Sequence, residues 1–347
     1  MMDAMDGKPT NRVVSLDRIG EFSKGTAAAV GSPAPGHAVV RVRRVGLCGT
    51  DFHAFRGRQP FVTYPRILGH ELGVEIVDPG GASSLKTGDR CAVEPYLNCG
   101  ICPPCRGGRT NCCVSLQVLG VHVDGGLQEW IELPAAKLHP SPKLSFDELA
   151  LVEPLSIGAH AVRRAQLTPG EFVLVIGCGP IGYATMAAAC AAGARVWAMD
   201  VSDDRLQFCA GRLPLARASK VEASVIADVL KTEPPSAIFD ATGNATSMTK
   251  AFDLVPSGGR LIFVGLVRED LTFNDPEFHR RELTVYASRN ATADDFRQVM
   301  SWIESGRLNA GALVTHRVPF DRLIDEFPNL LDQGGKVFKT LVEFPES

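Results

Sequence analysis

The sequence predicts an α/β protein built on a doubly wound parallel sheet, with a second, β-rich domain beside it. Three observations carry this. The stretch Phe172–Asp200 reads strand, glycine turn, helix, strand; helical and strand-like segments then alternate as far as Ala287; and Asn11 to Val45 alternates apolar and polar residues around Gly and Pro turns. A chain of 347 residues suits two domains, with expected ranges 1–155, 156–288 and a return of 289–347 to the first.

Within the central stretch, Phe172 to Ile176 are too few for a helix and rich in β-branched types, as in a buried parallel strand. Gly177, Gly179 and Gly182 follow at G-x-G-x-x-G spacing, an alanine-rich helix runs from Ala184 to Ala192, and a second strand, Arg195 to Met199, leads to Asp200. That order is the dinucleotide-binding fingerprint of a Rossmann sheet. Gly177 permits the tight turn, Gly179 lets a pyrophosphate approach the backbone, and Gly182 allows close helix–sheet packing. Gly177, Gly179, Pro180, Ile181 and Gly182 thus form the expected cofactor turn, with Arg205 nearby. Asp200 is placed to accept from ribose hydroxyls and to repel a 2′-phosphate, which favours NAD over NADP.

The net charge of −3 gives no basic footprint, which argues against a nucleic-acid partner. The opening residues, MMDAMDGKPTNR, contain no apolar run, so a cytoplasmic protein is expected. Phe172 to Ala194 carries no charge, but Gly177, Gly179, Pro180 and Gly182 interrupt it and its helix is built from alanine, which argues against a membrane span. In such a setting clustered cysteines point to metal rather than disulfides. Five of the ten cysteines fall between Cys99 and Cys113.

Two groups have metal-ligand chemistry. Cys48, in Gly46-Leu47-Cys48-Gly49-Thr50-Asp51-Phe52-His53, and Leu68-Gly69-His70-Glu71 offer a thiolate, an imidazole and a carboxylate, all suited to zinc. A buried cysteine and a satisfied histidine are the plain alternative. Thr50 and His53 have the makings of a proton relay, or else Thr50 bonds backbone and His53 is a surface residue. Asp51 is expected to accept from the far nitrogen of a ligating His70. Arg56 to Tyr64 reads as a loop that either lines a substrate pocket or is simply solvated, and Cys91 as core. Cys99, Cys102, Cys105 and Cys113 on a Gly/Pro-rich loop read as a closed, structural tetrahedral zinc site, with Cys112 an alternative fourth ligand or a free thiol.

Gly125 to Trp130 leads into strand-like sequence that closes the β-rich domain. Glu153 and Pro154 precede an expected helix, Ile157–Ala165; with Pro154 in its first turn, Glu153 either caps the helix or faces a metal. Helices are then expected at Asp203–Gly211 and Thr246–Leu254, and strands at Ala237–Asp240 and Arg260–Val264, whose ends carry Thr242 and Gly265 where a dinucleotide rests. A strand from Leu283 to Ala287 ends at Ser288-Arg289-Asn290, a helix spans Ala293–Glu304, and the tail GKVFKTLVEF returns to strand patterning.

Taken together, these motifs resemble the zinc-dependent medium-chain dehydrogenase/reductase superfamily over nearly the whole chain. Glu153 stands where alcohol dehydrogenases proper have a second cysteine ligand, so the sequence is similar to the sorbitol, polyol and threonine dehydrogenase branch. The resemblance implies a GroES-like catalytic domain beside the Rossmann domain. It also implies two zinc ions: a catalytic one on Cys48, His70 and Glu153, with Glu71 bound alternately or through water, and a structural one on Cys99, Cys102, Cys105 and Cys113. Thr50, the cofactor ribose and His53 become the proton relay, and Arg289 and Asn290 fall on substrate or cofactor positions. One departure is Val74, where the family usually has glycine; Gly73 precedes it. The implied reaction is NAD-dependent oxidation of a secondary alcohol in a polyol, sugar or sugar acid, by a homodimer or homotetramer. A threonine-type amino alcohol dehydrogenase and a non-catalytic zinc-stabilised NAD sensor are the alternatives.

Overall fold

The computed structural model describes residues 10–28 and 30–345. Residues 1–9, most of the opening segment read above for an apolar run, lie outside them. The chain divides into two compact units: 1–153, 292–304 and 314–347 form the first, and 154–291 with 305–313 the second. The changeovers therefore fall at 153/154 and 291/292 rather than at the expected 155/156 and 288/289, and 305–313 groups with the second unit.

In chain order the first unit begins with β1 (Asn11–Arg18), β2 (Glu21–Ala27), β3 (His37–Leu47), α1 (Gly49–Phe55), β4 (Arg66–Ile67), β5 (Glu71–Asp78) and β6 (Arg90–Val93). It continues with β7 (Tyr96–Leu97), α2 (Pro103–Arg106), β8 (Gln117–Val118), β9 (Trp130–Pro134), β10 (Leu138–Pro140) and the first half of α3 (Phe146–Arg164), within which the changeover at 153/154 falls. The helix α3 corrects the expectation of a helix starting near Pro154. Its start is a Ser145-x-x-Glu148 capping box, in which the Ser145 N–H and hydroxyl donate to Glu148 at 2.8 Å each and the Glu148 N–H donates back to Ser145 Oγ at 3.3 Å. Glu153 is thus mid-helix and buried, and Pro154 sits inside the helix.

The second unit is a six-stranded sheet formed by β11 (Phe172–Ile176), β12 (Arg195–Asp200), β13 (Arg217–Lys220), β14 (Ala237–Asp240), β15 (Arg260–Phe263) and β16 (Thr284–Ala287). Every pairing is parallel, in the order β13-β12-β11-β14-β15-β16. The order turns outward in both directions from β11, the doubly wound arrangement. Its connecting helices include α4 (Pro180–Ala191), α5 (Asp203–Ala210), α6 (Ala223–Thr232), α7 (Ala245–Leu254) and α8 (Asp275–Arg280). The strand β13 and helix α6 have no counterpart in the sequence expectations, because Arg217-Ala218-Ser219-Lys220 is a largely exposed edge strand with no apolar pattern. Side chains such as Trp197 and Phe239 are fully buried on this sheet.

After α9 (Ala293–Glu304), β17 (Val314–Pro319) and α10 (Leu323–Asp332), the last strand among the described residues is β18 (Lys339–Glu343), which completes the main sheet of the first unit. That sheet runs β10-β6-β5-β3-β18-β17, with β9 also on β3. The core beneath it is mainly aliphatic, including Val40, Val42, Leu72, Val74 and Ile76, and also holds Phe320, Phe327 and Phe344. The local path at Gly73-Val74 is regular on β5; the irregularity lies opposite, where β3 carries one extra residue between Val42 and Arg44. Gly73 lies so near the start of α3 that a Cβ there would stand 2.2 Å from the Phe146 carbonyl oxygen.

Since the Ser145 box starts the helix that carries Glu153, Ser145→Ala should lower stability by about 1 kcal/mol. Urea denaturation at neutral pH measures this, and an unchanged midpoint would show that α3 starts without the box.

Candidate active site and metal centres

Three neighbouring strands build the first site. β3 lies between β5 and β18, with Gly46 opposite Glu71 on one side and opposite Leu341 on the other. Because Gly46 has no side chain, the Glu71 carboxylate lies over it; a Cβ there would be 2.0 Å from Glu71 Oε2. From β18, Lys339 reaches across β3 and places its Nζ 2.6 Å from both Glu71 oxygens and 3.2 Å from the Leu47 carbonyl oxygen. Both partners are almost fully buried, at 2% and 1% side-chain exposure. Removing one member of such a pair typically costs about 3–5 kcal/mol, because the other charge is left buried and unpaired.

Where β3 ends, Cys48 caps α1. Ligand atoms of Cys48, His70 and Glu71 all lie within 4.8 Å of one another. Asp51, in the third helical position, accepts the Cys48 N–H at 2.8 Å and the Gly69 N–H at 3.4 Å. Its distance to His70 Nδ1 is 3.9 Å and that nitrogen has no hydrogen-bond partner, so the expected Asp51–His70 bond is not formed. The Asp51 carboxylate is drawn to the backbone amides instead. Thr50 and His53 lie three residues apart on α1 and so share a helix face; Thr50 is half-buried and His53 exposed.

Glu153 is buried next to this group without belonging to the compact trio. Its Oε1 accepts from the Tyr96 hydroxyl. Burial pushes the Glu153 carboxyl up to about 7, against the pull of the His70 charge. Burial alone would lower His70, but Asp51, Cys48 and Glu153 outweigh it and hold the imidazole well above its ordinary value. A thiol, an imidazole and two carboxylates gathered in a low-dielectric setting favour positive charge, and the donor types suit zinc. Tyr96, Lys339 and Gly46 are members of the site that carry no local sequence signal; the one hint is a lysine set among the apolar residues of the GKVFKTLVEF strand.

The second centre is the lobe between β7 and β8. Ligand atoms of Cys99, Cys102, Cys105 and Cys113 lie within 4.8 Å of one another, whereas Cys112 is exposed and outside the group. Sulfur separations of 3.9 Å (Cys102–Cys113) and 3.5 Å (Cys99–Cys113) bracket the roughly 3.8 Å expected around a tetrahedral ion with zinc–sulfur bonds of about 2.3 Å. The backbone N–H groups of Ile101 and Cys102, then Cys113, hold the Cys99 thiol down at about 6. All ten cysteines are free thiols.

In the second unit, Gly177 has φ +95°, and a Cβ on Gly182 would stand 1.7 Å from the Gly177 carbonyl oxygen, so both glycines are required by the turn. Gly179 precedes α4 with open space in front of it, and Pro180 and Ile181 form the first helical turn. Asp200, at the end of β12, accepts the Cys178 N–H at 2.6 Å and the Ser202 N–H at 2.8 Å. Arg205, half-buried on α5, donates its N–H to Ser202 Oγ at 3.4 Å. Thr242 follows β14 and donates its hydroxyl to the buried Asp240 at 2.6 Å, and Gly265 lies after β15 against Gly243. Arg289 is exposed beyond β16, followed by Asn290 with φ +52°.

Residues 34–143 match the alcohol dehydrogenase GroES-like domain, and residues 180–305 match the zinc-binding dehydrogenase domain. The chain is 42% identical to the L-galactonate-5-dehydrogenase of Escherichia coli K12, over 90% of this chain and 94% of that protein. This chain belongs to the zinc-dependent medium-chain dehydrogenase/reductase superfamily. Within its polyol dehydrogenase-like branch, the dehydrogenase is also 33% identical to a probable D-xylulose reductase A of Aspergillus terreus, over 89% of this chain and 91% of that protein. The crystal structure of the RspB alcohol dehydrogenase of E. coli CFT073 complexed with NADH superposes with a TM-score of 0.90 at 28% identity, covering 96% of this dehydrogenase and 99% of that chain. No helix among its described residues is long and apolar enough to cross a membrane.

For the cysteine lobe, Cys105→Ser should remove one zinc per chain and Cys112→Ser none, as measured by metal analysis of the purified variants. Loss of zinc from the Cys112 variant alone would reverse the assignment.

Proposed function

We propose that this dehydrogenase oxidises a secondary alcohol of a sugar acid or polyol with NAD, using a catalytic zinc held by Cys48, His70 and Glu153. The observation that carries this is the cluster of half-buried Cys48 with buried His70 and Glu71, and Glu153 beside it, in a chain that also has the complete dinucleotide turn. Zinc supplies Lewis acidity there, lowering the pKa of an alcohol oxygen towards neutrality. NAD supplies the hydride acceptor.

The chain's own residues orient and deprotonate the substrate. The Thr50 hydroxyl takes the alcohol proton and hands it on towards His53, which shares its helix face and is exposed enough to release it to water. The fixed negative charge of Asp200, held by two backbone N–H groups, favours the ribose hydroxyls of NAD over a 2′-phosphate. A sugar acid is the preferred substrate class, supported by the galactonate dehydrogenase relative and by the exposed cations Arg56 and Arg58 of the first unit, whose guanidinium groups suit a carboxylate.

Zinc-loaded protein should reduce NAD, followed at 340 nm, with a member of a sugar-acid and polyol panel, and Cys48→Ala should abolish turnover while the protein stays folded. A whole panel giving no NADH would favour the non-catalytic sensor. Asp200→Ala should raise the KM for NAD by about ten- to a hundred-fold, since a hydrogen bond to a charged group contributes about 1.5–3 kcal/mol, and should narrow the preference for NAD over NADP. An unchanged NAD to NADP ratio would contradict the role given to Asp200.

A further inference from the structure

Behind the dinucleotide turn lies a group of soft side chains that the proposed reaction does not use. Cys178 occupies the turn itself, between Gly177 and Gly179, and Cys209 lies in the last turn of α5. Both are fully buried. Cys209 Sγ stands 3.8 Å from the Cys178 carbonyl oxygen, and contact between the two thiols, ahead of burial, holds the Cys178 thiol far above its ordinary value. Tyr183 of α4 packs against Phe208 of α5 with ring centroids 5.8 Å apart, and its hydroxyl is buried without a hydrogen-bond partner among the described residues.

We propose that Cys178 and Cys209 are a redox pair whose disulfide ties the dinucleotide turn to α5 and weakens NAD binding, and that bound NAD protects the pair from oxidation. The inference rests on the reading of Gly177 to Gly182 as the dinucleotide turn. In the closed fold the pair is inert, because the Cys178 thiol stays protonated and neither sulfur meets solvent. Access comes through α5. Of its eight residues only Leu206 and Cys209 are buried, and its cap bond, from the Arg205 N–H to Ser202 Oγ, is long at 3.4 Å. A helix with so few buried contacts opens readily, and opening lets water reach the Tyr183 hydroxyl that the closed fold leaves unsatisfied. Bound NAD opposes that opening. Asp200 accepts the Cys178 N–H on one oxygen and the Ser202 N–H, at the cap of α5, on the other, so a ribose held by Asp200 braces both cysteine-bearing segments. With a peroxide as oxidant, the first thiol becomes a sulfenic acid as the O–O bond breaks and one water leaves. The second sulfur then attacks the first, the S–S bond forms and a second water leaves, so two sulfurs are oxidised and one peroxide is reduced. The new bond draws the sulfurs from contact to about 2.05 Å. Cys178 moves towards α5 and carries with it the Gly179 backbone that a pyrophosphate approaches.

The test uses the full zinc-loaded chain, treated with hydrogen peroxide with and without saturating NAD. It reads the cross-link by peptide mass mapping and dinucleotide affinity by titration with NADH. Without NAD, a Cys178–Cys209 cross-linked peptide should form, the Kd for NADH should rise about ten-fold, and dithiothreitol should reverse both. Saturating NAD should slow the cross-link by about the same factor, since the coupling is reciprocal. Cys209→Ser under the same peroxide should keep its Kd for NADH within about three-fold, which separates this pair from oxidation of Cys48 or of the lobe cysteines. Absence of the cross-linked peptide from NAD-free protein would overturn the inference, whatever the variant does. So would a cross-link that leaves the Kd unchanged, one that forms as fast under saturating NAD, or an equal loss of affinity in Cys209→Ser. No readout requires turnover: a chain that binds NADH and cross-links as described but oxidises no alcohol would count against the proposed function alone.

Discussion

A local excess of buried negative charge is the constraint on which the first unit depends. Asp51, Glu71 and Glu153 are each nearly inaccessible to water, and the Cys48 thiol lies among them. In a medium of low polarity such a group persists only when cations or amides face it. Asp51 is held by two backbone N–H groups, Glu71 by Lys339, and Glu153 by the Tyr96 hydroxyl. Ligand atoms of Cys48, His70 and Glu71 lie within 4.8 Å of one another at the centre of this group, and the elevated affinity of His70 for its proton reflects the same surplus of negative charge.

The two units follow different physical logics. In the second, parallel strands bury both faces, so the dinucleotide turn is held by backbone geometry: one glycine with positive φ and one in near contact with its neighbour's carbonyl oxygen. In the first, the site is held by side chains that cross strands, and the strand order β5-β3-β18 brings together residues far apart in the chain.

That difference explains what could be read from the sequence. Phe172–Ile176, the glycine turn and the four cysteines are encoded by short-range spacing, and the structure reproduces the strand and gathers the thiols. Cys112 and Cys113 are adjacent, and only the path of the loop separates their roles. Pro154 is a strong first-turn signal and so predicts a helix start at Glu153, whereas Ser145 and Glu148 begin the helix earlier and tertiary packing tolerates the internal proline. Lys339 meets Glu71 from 268 positions away, and the Gly46 that makes room for them lies on a third strand; no local pattern encodes such a meeting.

The cysteine lobe has one further consequence. Its buried apolar cluster consists of three of its own cysteines with Leu116 packed against them, so little besides the ion ties the loop down. The main core of the same unit, by contrast, contains about thirty buried apolar residues. An ion bound by the four thiolates would thus hold this loop in the way that apolar packing holds the rest of the unit.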